Sequence, residues 1–170
     1  MKGFSQLKLR AYSKRIIELL RASGCTLSVA ESCTGGLIAK ALTDISGASS
    51  AFCGGCVTYT NEVKMELLGV PSDLIARESE VSYACAKAMA EGVRDRLHTS
   101  YAISTTGYAG PDGGTEADPV GTVYIGIATP HASYSARYCA PEGSGRTEVR
   151  VCAAGQAFAL LEQELLRDRA

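Results

Sequence analysis

The 170-residue sequence is 46% apolar, enough to bury one substantial core within the usual size of a single domain. Its 17 Lys and Arg against 18 Asp and Glu leave a net charge of −1, which excludes the global positive field that holds nucleic acid or an anionic membrane. No stretch reaches the roughly 18 apolar residues needed to span a bilayer and no signal-peptide core opens the chain, so a soluble, cytoplasmic protein is expected.

Residues 5 to 22 set Leu7, Leu9, Ile16, Ile17, Leu19 and Leu20 among Lys and Arg at helical spacing, and Ser23-Gly24 ends that helix. The basic first fifteen residues have the charge of a transit peptide, but Glu18 and the helical run into the domain favour an integral helix. Thr26 to Ala30 reads as a short strand, followed by a polar turn and a helix over Thr34 to Thr43. Ala51 to Thr60 reads as a second strand, with a bulge at Gly54-Gly55. Asn61 is the expected cap of a helix over Glu62 to Leu68, stopped by Gly69-Val70-Pro71, and Pro71-Ser72-Asp73 opens a further helical turn.

Ser82 to Leu97 has small and apolar residues on one face and reads as the next helix. Tyr101 to Thr106 is a strand leading into the glycine-rich loop Gly107 to Gly114. Val120 to Thr129 and Ser133 to Cys139 form a hairpin about Pro130-His131-Ala132, and a helix from about Gly145 to Arg167 closes the chain. Strands alternating with helices, plus one hairpin, predict an α/β fold: a single three-layer α/β/α domain over 1–170 on a mixed, mostly parallel sheet.

Seven cysteines, an odd number in mostly apolar surroundings, read as buried free thiols. Cys53-Gly54-Gly55-Cys56 has C-x-x-C spacing, but no second pair follows to complete a zinc site, so no metal is expected.

The chemistry concentrates in Val29-Ala30-Glu31-Ser32-Cys33-Thr34-Gly35-Gly36. In an α/β sheet, ligands collect where strands end and loops enter helices, and Ser32 stands at such an end. The N–H groups of the helix start, near Cys33 to Gly36, can hold an oxyanion or a phosphate. Ser32 and Thr34 are equally suited to capping the helix. A serine nucleophile needs a base, yet His98 falls at a helix end and His131 in a hairpin turn. Lys64, in the first turn of its helix, lies at the positive end of the dipole, which lowers its pKa; it is suited to take a serine proton directly or through the Tyr59 phenol. A solvated lysine is the alternative. Cys33, at the same helix start, is a further candidate nucleophile.

The Gly107–Gly114 loop follows neither the P-loop nor the dinucleotide pattern, and both a ligand contact and a simple turn remain open. Arg146 and Arg150 lie one helical turn apart, so one face presents two guanidinium groups either to a phosphate or to solvent.

The stretches "VAESCTGGLIA", "VTYTNEVKMELLGV", "MAEGVRDRL", "STTGYAGPDGGT" and "PVGTVYIGIA" together resemble the C-terminal domain of the CinA (competence/damage-inducible protein) family, over about residues 10 to 168. The resemblance implies a cytoplasmic, metal-independent amidase of pyridine nucleotide salvage, without cofactor, converting nicotinamide mononucleotide and water to nicotinate mononucleotide and ammonia. It implies a homo-oligomer, a dimer or larger, with no nucleic-acid or membrane partner. The family's serine, tyrosine and lysine fall on Ser32, Tyr59 and Lys64. Thr34, Gly35, Gly36, Thr106, Gly107, Gly110 and Arg146 become the expected substrate-binding residues, with Arg146 at the phosphate.

Three positions depart from the family's usual pattern. Gly143-Ser144-Gly145-Arg146 stands where many relatives read Gly-Asp-Arg, and Tyr108 and Asp112 stand where an aliphatic residue and a glycine are usual. Beginning at the helix before the serine turn, the sequence is expected to lack the N-terminal domain of full-length relatives and its nucleotide pyrophosphatase activity. The alternative function is a module that binds a nucleotide or a partner without turnover.

Overall fold

The computed structural model describes residues 6–169, so the predicted helix start at Ser5 and the extreme ends of the 1–170 span lie outside the described residues. Helix α1 (Gln6–Ser23) leads into strand β1 (Leu27–Glu31), helix α2 (Leu37–Thr43), a single 3-10 turn and strand β2 (Phe52–Val57). Helices α3 (Asn61–Leu68), α4 (Ser72–Glu78) and α5 (Tyr83–Leu97) follow. Strands β3 (Tyr101–Gly107), β4 (Thr122–Ala128) and β5 (Ser133–Cys139) and helix α6 (Arg146–Arg167) complete the order.

The five strands form one mixed sheet in the order β2-β1-β3-β4-β5. Strands β1, β2 and β3 pair in parallel, and β4 is antiparallel to both β3 and β5. Every strand except β4 therefore runs in the same direction, as the expected α/β/α architecture requires. Strand residues alternate between two cores. Val29, Ile103, Ile125 and Ile127 face α1, α2 and α6, packing on Ile16, Leu20 and Phe158. Ala30, Ala102 and Ala128 face α5 with Met89 and Val93, joined by Leu68 of α3. The second face is built from small side chains, so α5 approaches closely; the Ser104 hydroxyl reaches Ala86 O at 2.5 Å.

Four local expectations are corrected. Helix α2 begins at Leu37, not Thr34, because Gly35 and Gly36 hold positive φ of 59° and 93°, which no helix accommodates. The cap of α3 is Thr60, whose hydroxyl accepts from Val63 N, and Asn61 is the first helical residue. The irregularity in β2 falls at Cys53, one residue before the predicted Gly54-Gly55, since Leu27 pairs with Phe52 and Ser28 with Gly54. Of the seven thiols, all free, only Cys33, Cys85 and Cys152 are buried; Cys53 and Cys139 lie exposed on β2 and β5, the two sheet edges. Among the described residues no helix is long and apolar enough to cross a membrane.

Candidate active site

The carboxyl ends of β1 and β3 meet at Ser32, whose N–H donates to Thr105 O at 2.9 Å. The turn after Ser32 is held from three sides. The buried Glu31 carboxylate accepts from the N–H groups of Gly36 (3.0 Å), Ile38 (3.1 Å) and Ala39 (2.8 Å), satisfying the start of α2 from within the preceding strand. The Thr34 hydroxyl bonds Thr105 Oγ1 at 2.7 Å. Arg150 donates to Thr34 O from Nε at 3.0 Å and Nη2 at 2.6 Å.

These bonds correct two expectations. Gly35 N–H donates to Ser32 O and Gly36 N–H to Glu31, so neither is free to receive an anion. Thr34, Gly35 and Gly36 build the turn and do not line the cleft described below. Arg150 braces the same turn and does not present a second guanidinium to a ligand beside Arg146. The N–H of Cys33 donates to no main-chain acceptor among the described residues.

Lys64 lies on α3 and turns its side chain into the protein, leaving the residue 1% exposed. Its Nζ is 3.4 Å from Ser32 Oγ and 3.4 Å from the main-chain carbonyl of Tyr59. Burial holds the Lys64 pKa below the usual lysine value, opposed by Cys85, Glu80, Cys33 and Glu62 around it. Desolvation is thus the leading cause, where the helix dipole was expected. The Tyr59 phenol is not between Ser32 and Lys64: it is 59% exposed and accepts from Arg146 Nη2 at 3.1 Å. Tyr59 meets the lysine through its carbonyl instead.

Ser32, Lys64, Tyr59, Thr106, Gly107 and Arg146 line one cleft of about 150 Å³. Gly110 does not line it; its carbonyl accepts from Arg146 Nη1 at 2.7 Å and so aims the guanidinium. Cys33 also lines the cleft, but burial pushes its thiol up to about 12, which leaves it protonated and a poor nucleophile at neutral pH. His98 caps the end of α5 and His131 sits in the β4–β5 turn, and neither lines the cleft. No group of three His, Cys, Asp or Glu side chains is arranged to hold a metal among the described residues.

Three lining residues escaped the sequence reading, Glu80, Val81 and Ala109, whereas Tyr108, a departure already noted in the glycine loop, forms part of the cleft wall. Glu80 precedes the α5 cap Ser82, and its carbonyl accepts from the Thr106 hydroxyl at 2.7 Å. The only sequence signal was position: a loop leading into a helix, which in this fold opens at the carboxyl end of the sheet.

The CinA C-terminal domain profile matches residues 9–165. The chain belongs to the CinA family. A CinA-like protein of Myxococcus xanthus is 49% identical over 156 residues, covering 92% of this chain and 37% of that protein. A CinA-like protein of Nostoc sp. is 49% identical over 158 residues, covering 88% and 37%. The chain thus spans little more than a third of the length of these curated CinA-like relatives.

Solved CinA structures agree. The competence/damage inducible protein CihA from Agrobacterium tumefaciens superposes with a TM-score of 0.89 at 36% identity, covering 96% of this chain and 98% of that one. The CinA superfamily protein KP700603 from Klebsiella pneumoniae 700603 gives 0.89 at 31% identity, covering 94% and 98%.

Proposed function

We propose that this CinA domain is a serine amidase that converts nicotinamide mononucleotide and water to nicotinate mononucleotide and ammonia. The observation that carries the reading is the buried Lys64 Nζ, 3.4 Å from Ser32 Oγ at the floor of a cleft that also presents Arg146. Burial lowers the pKa of this lysine and so raises the share of neutral amine, the form that can accept a serine proton.

In this reading Ser32 Oγ attacks the carboxamide carbon while its proton passes to Lys64. The oxyanion meets the N–H of Cys33, the residue after the nucleophile; one such donor is typically worth about 3 to 4 kcal/mol. Lys64 returns the proton to the departing ammonia, and water then cleaves the acyl-enzyme with Lys64 again as base. The cleft, about 150 Å³, is below the roughly 300–1,000 Å³ of pockets that enclose a whole drug-sized ligand. It suits the amide and its ring, with the ribose phosphate across the mouth toward Arg146. No step requires a metal or a cofactor. The domain over 1–170 would act as a cytoplasmic homo-oligomer.

The test is ammonia release from nicotinamide mononucleotide, with and without EDTA, by the wild-type chain, Ser32→Ala and Lys64→Ala. Release indifferent to EDTA and reduced at least 1,000-fold in both variants is expected on the scale of triad deletions. Release that survives Ser32→Ala would sink the reading. A rise in melting temperature with nucleotide but no ammonia would favour the binding module instead.

A further inference from the structure

The cleft has two walls of opposite charge, and they come from opposite faces of the sheet. Arg146 starts α6, which packs in the layer with α1 and α2, whereas Glu80 leads into α5, in the layer with α3 and α4. Ser32 lies between the layers at the end of β1, and Glu80 and Arg146 both line the cleft it opens into. A neutral amide uses neither wall, and a purely anionic one is repelled by Glu80.

The Glu80 wall is held in place. Ser79 takes a φ of 75° with ψ of 156°, a region that residues with a Cβ rarely enter, so the surrounding structure imposes it. The Ser79 hydroxyl donates to Glu80 Oε2 at 3.2 Å and also accepts from Val81 N at 3.2 Å. From the other side the Thr106 hydroxyl fixes the Glu80 carbonyl. Tyr108 packs against the cluster of Val81, Ala86 and Tyr124 and adds an aromatic surface to the same wall.

We infer that Glu80, with the Tyr108 ring beside it, is a specificity-determining cation subsite that reads the positive charge of the substrate's pyridinium ring. The inference rests on the amidase reading of the same cleft and names how its substrate is told from uncharged amides. A carboxylate next to a half-buried cationic ring gains from Coulomb attraction, and a ring face adds a cation–π contribution. The subsite also couples binding to the base. Glu80 is one of the groups that favour the proton on Lys64. A cationic ring set against Glu80 offsets that field and frees Lys64 to accept the serine proton once the correct substrate is seated.

The experiment uses Ser32→Ala, which binds without turnover, and compares by calorimetry the oxidised nucleotide with its reduced dihydropyridine form. The two share ribose, phosphate and carboxamide and differ in ring charge. Ser32→Ala is expected to bind the oxidised form roughly 10- to 30-fold tighter. Adding Glu80→Gln should cut that ratio to about 2-fold or less while leaving affinity for the reduced form unchanged, which also reports that the cleft is intact. An oxidised-to-reduced ratio unchanged by Glu80→Gln overturns the inference. If neither form binds, the inference falls together with the amidase reading. Charge discrimination that depends on Glu80, in a chain whose wild type releases no ammonia, supports the subsite and removes the amidase reading alone.

Discussion

A lysine that is 1% exposed sets a cost against a use. Desolvation disfavours its charged form, so Lys64 has a lower pKa in the folded chain than in the unfolded one. The unfolded state therefore binds this proton more tightly. Stability attributable to Lys64 is full above the unfolded lysine value of about 10.4 and is lost as pH falls toward the lowered folded pKa. Lys64→Met should raise stability at pH 7 by about 1 kcal/mol, or about 2–4 °C in melting temperature, and flatten its alkaline pH dependence. The same change should abolish amidase activity. Thermal melts from pH 7 to 10 beside ammonia assays check both, and a variant that is less stable and still active would contradict the role. In the wild-type chain kcat/KM should rise with pH along an acid limb set by Lys64 and its neighbours Cys85, Glu80, Cys33 and Glu62, because only the neutral amine accepts the proton.

At the scale of the elements, two contacts decide where Ser32 and Lys64 sit. The first is Glu31, a strand residue whose buried carboxylate caps α2 through three N–H groups. Glu31→Gln turns an amide donor toward donors, and hydrogen bonds to a charged group are worth about 1.5–3 kcal/mol. A loss of about 2 kcal/mol in urea unfolding is expected, together with reduced activity as the serine turn loosens. The second contact is Gly92 of α5, where a Cβ would lie 2.0 Å from Leu68 O at the end of α3. Alanine gains roughly 1 kcal/mol of helix propensity there, but the collision is with backbone and overpacking costs about 1–3 kcal/mol. The relief is a shift of α3, which carries Lys64. A displacement of about 1 Å can cost on the order of 100-fold in rate, so Gly92→Ala should lower kcat far more than it lowers stability, as kinetics beside a urea melt would reveal.

These elements also mark where sequence is readable. The strand–turn–helix around Ser32 and the helix carrying Lys64 follow from apolar runs and punctuating glycines. Glu31 was not legible as a cap, because it precedes its helix by six residues and reaches it only through the fold of the turn. Nor could Asn61 be told from Thr60 as cap, since both residue types suit the position. Glu80 sits in the run Glu78-Ser79-Glu80, which carries no motif, and only the fold shows the Thr106 hydroxyl of β3 fastening its carbonyl.

Across the whole molecule, the site exists because the helical layers on both faces deliver residues to the carboxyl ends of the inner strands β1 and β3. Spacing along α6 put Arg146 and Arg150 on the same face, but only the packing of α6 over the serine turn separates their tasks: Arg150 grips Thr34 O, whereas Arg146 reaches the cleft between Gly110 O and Tyr59 Oη. In this arrangement Arg146 bonds one carbonyl and one phenol, both neutral acceptors, and a dianionic phosphate would be a stronger partner than either. Arg146→Ala should therefore raise KM for nicotinamide mononucleotide by about 10- to 100-fold, the scale of a lost charge-assisted bond pair. It should change kcat/KM for the corresponding nucleoside, which has no phosphate, by less than about 3-fold. Parallel kinetics on nucleotide and nucleoside separate the outcomes. Equal losses on both would mean that Arg146 serves only to hold Tyr59 and the Gly110 loop, and the phosphate would then have to be bound elsewhere on the rim.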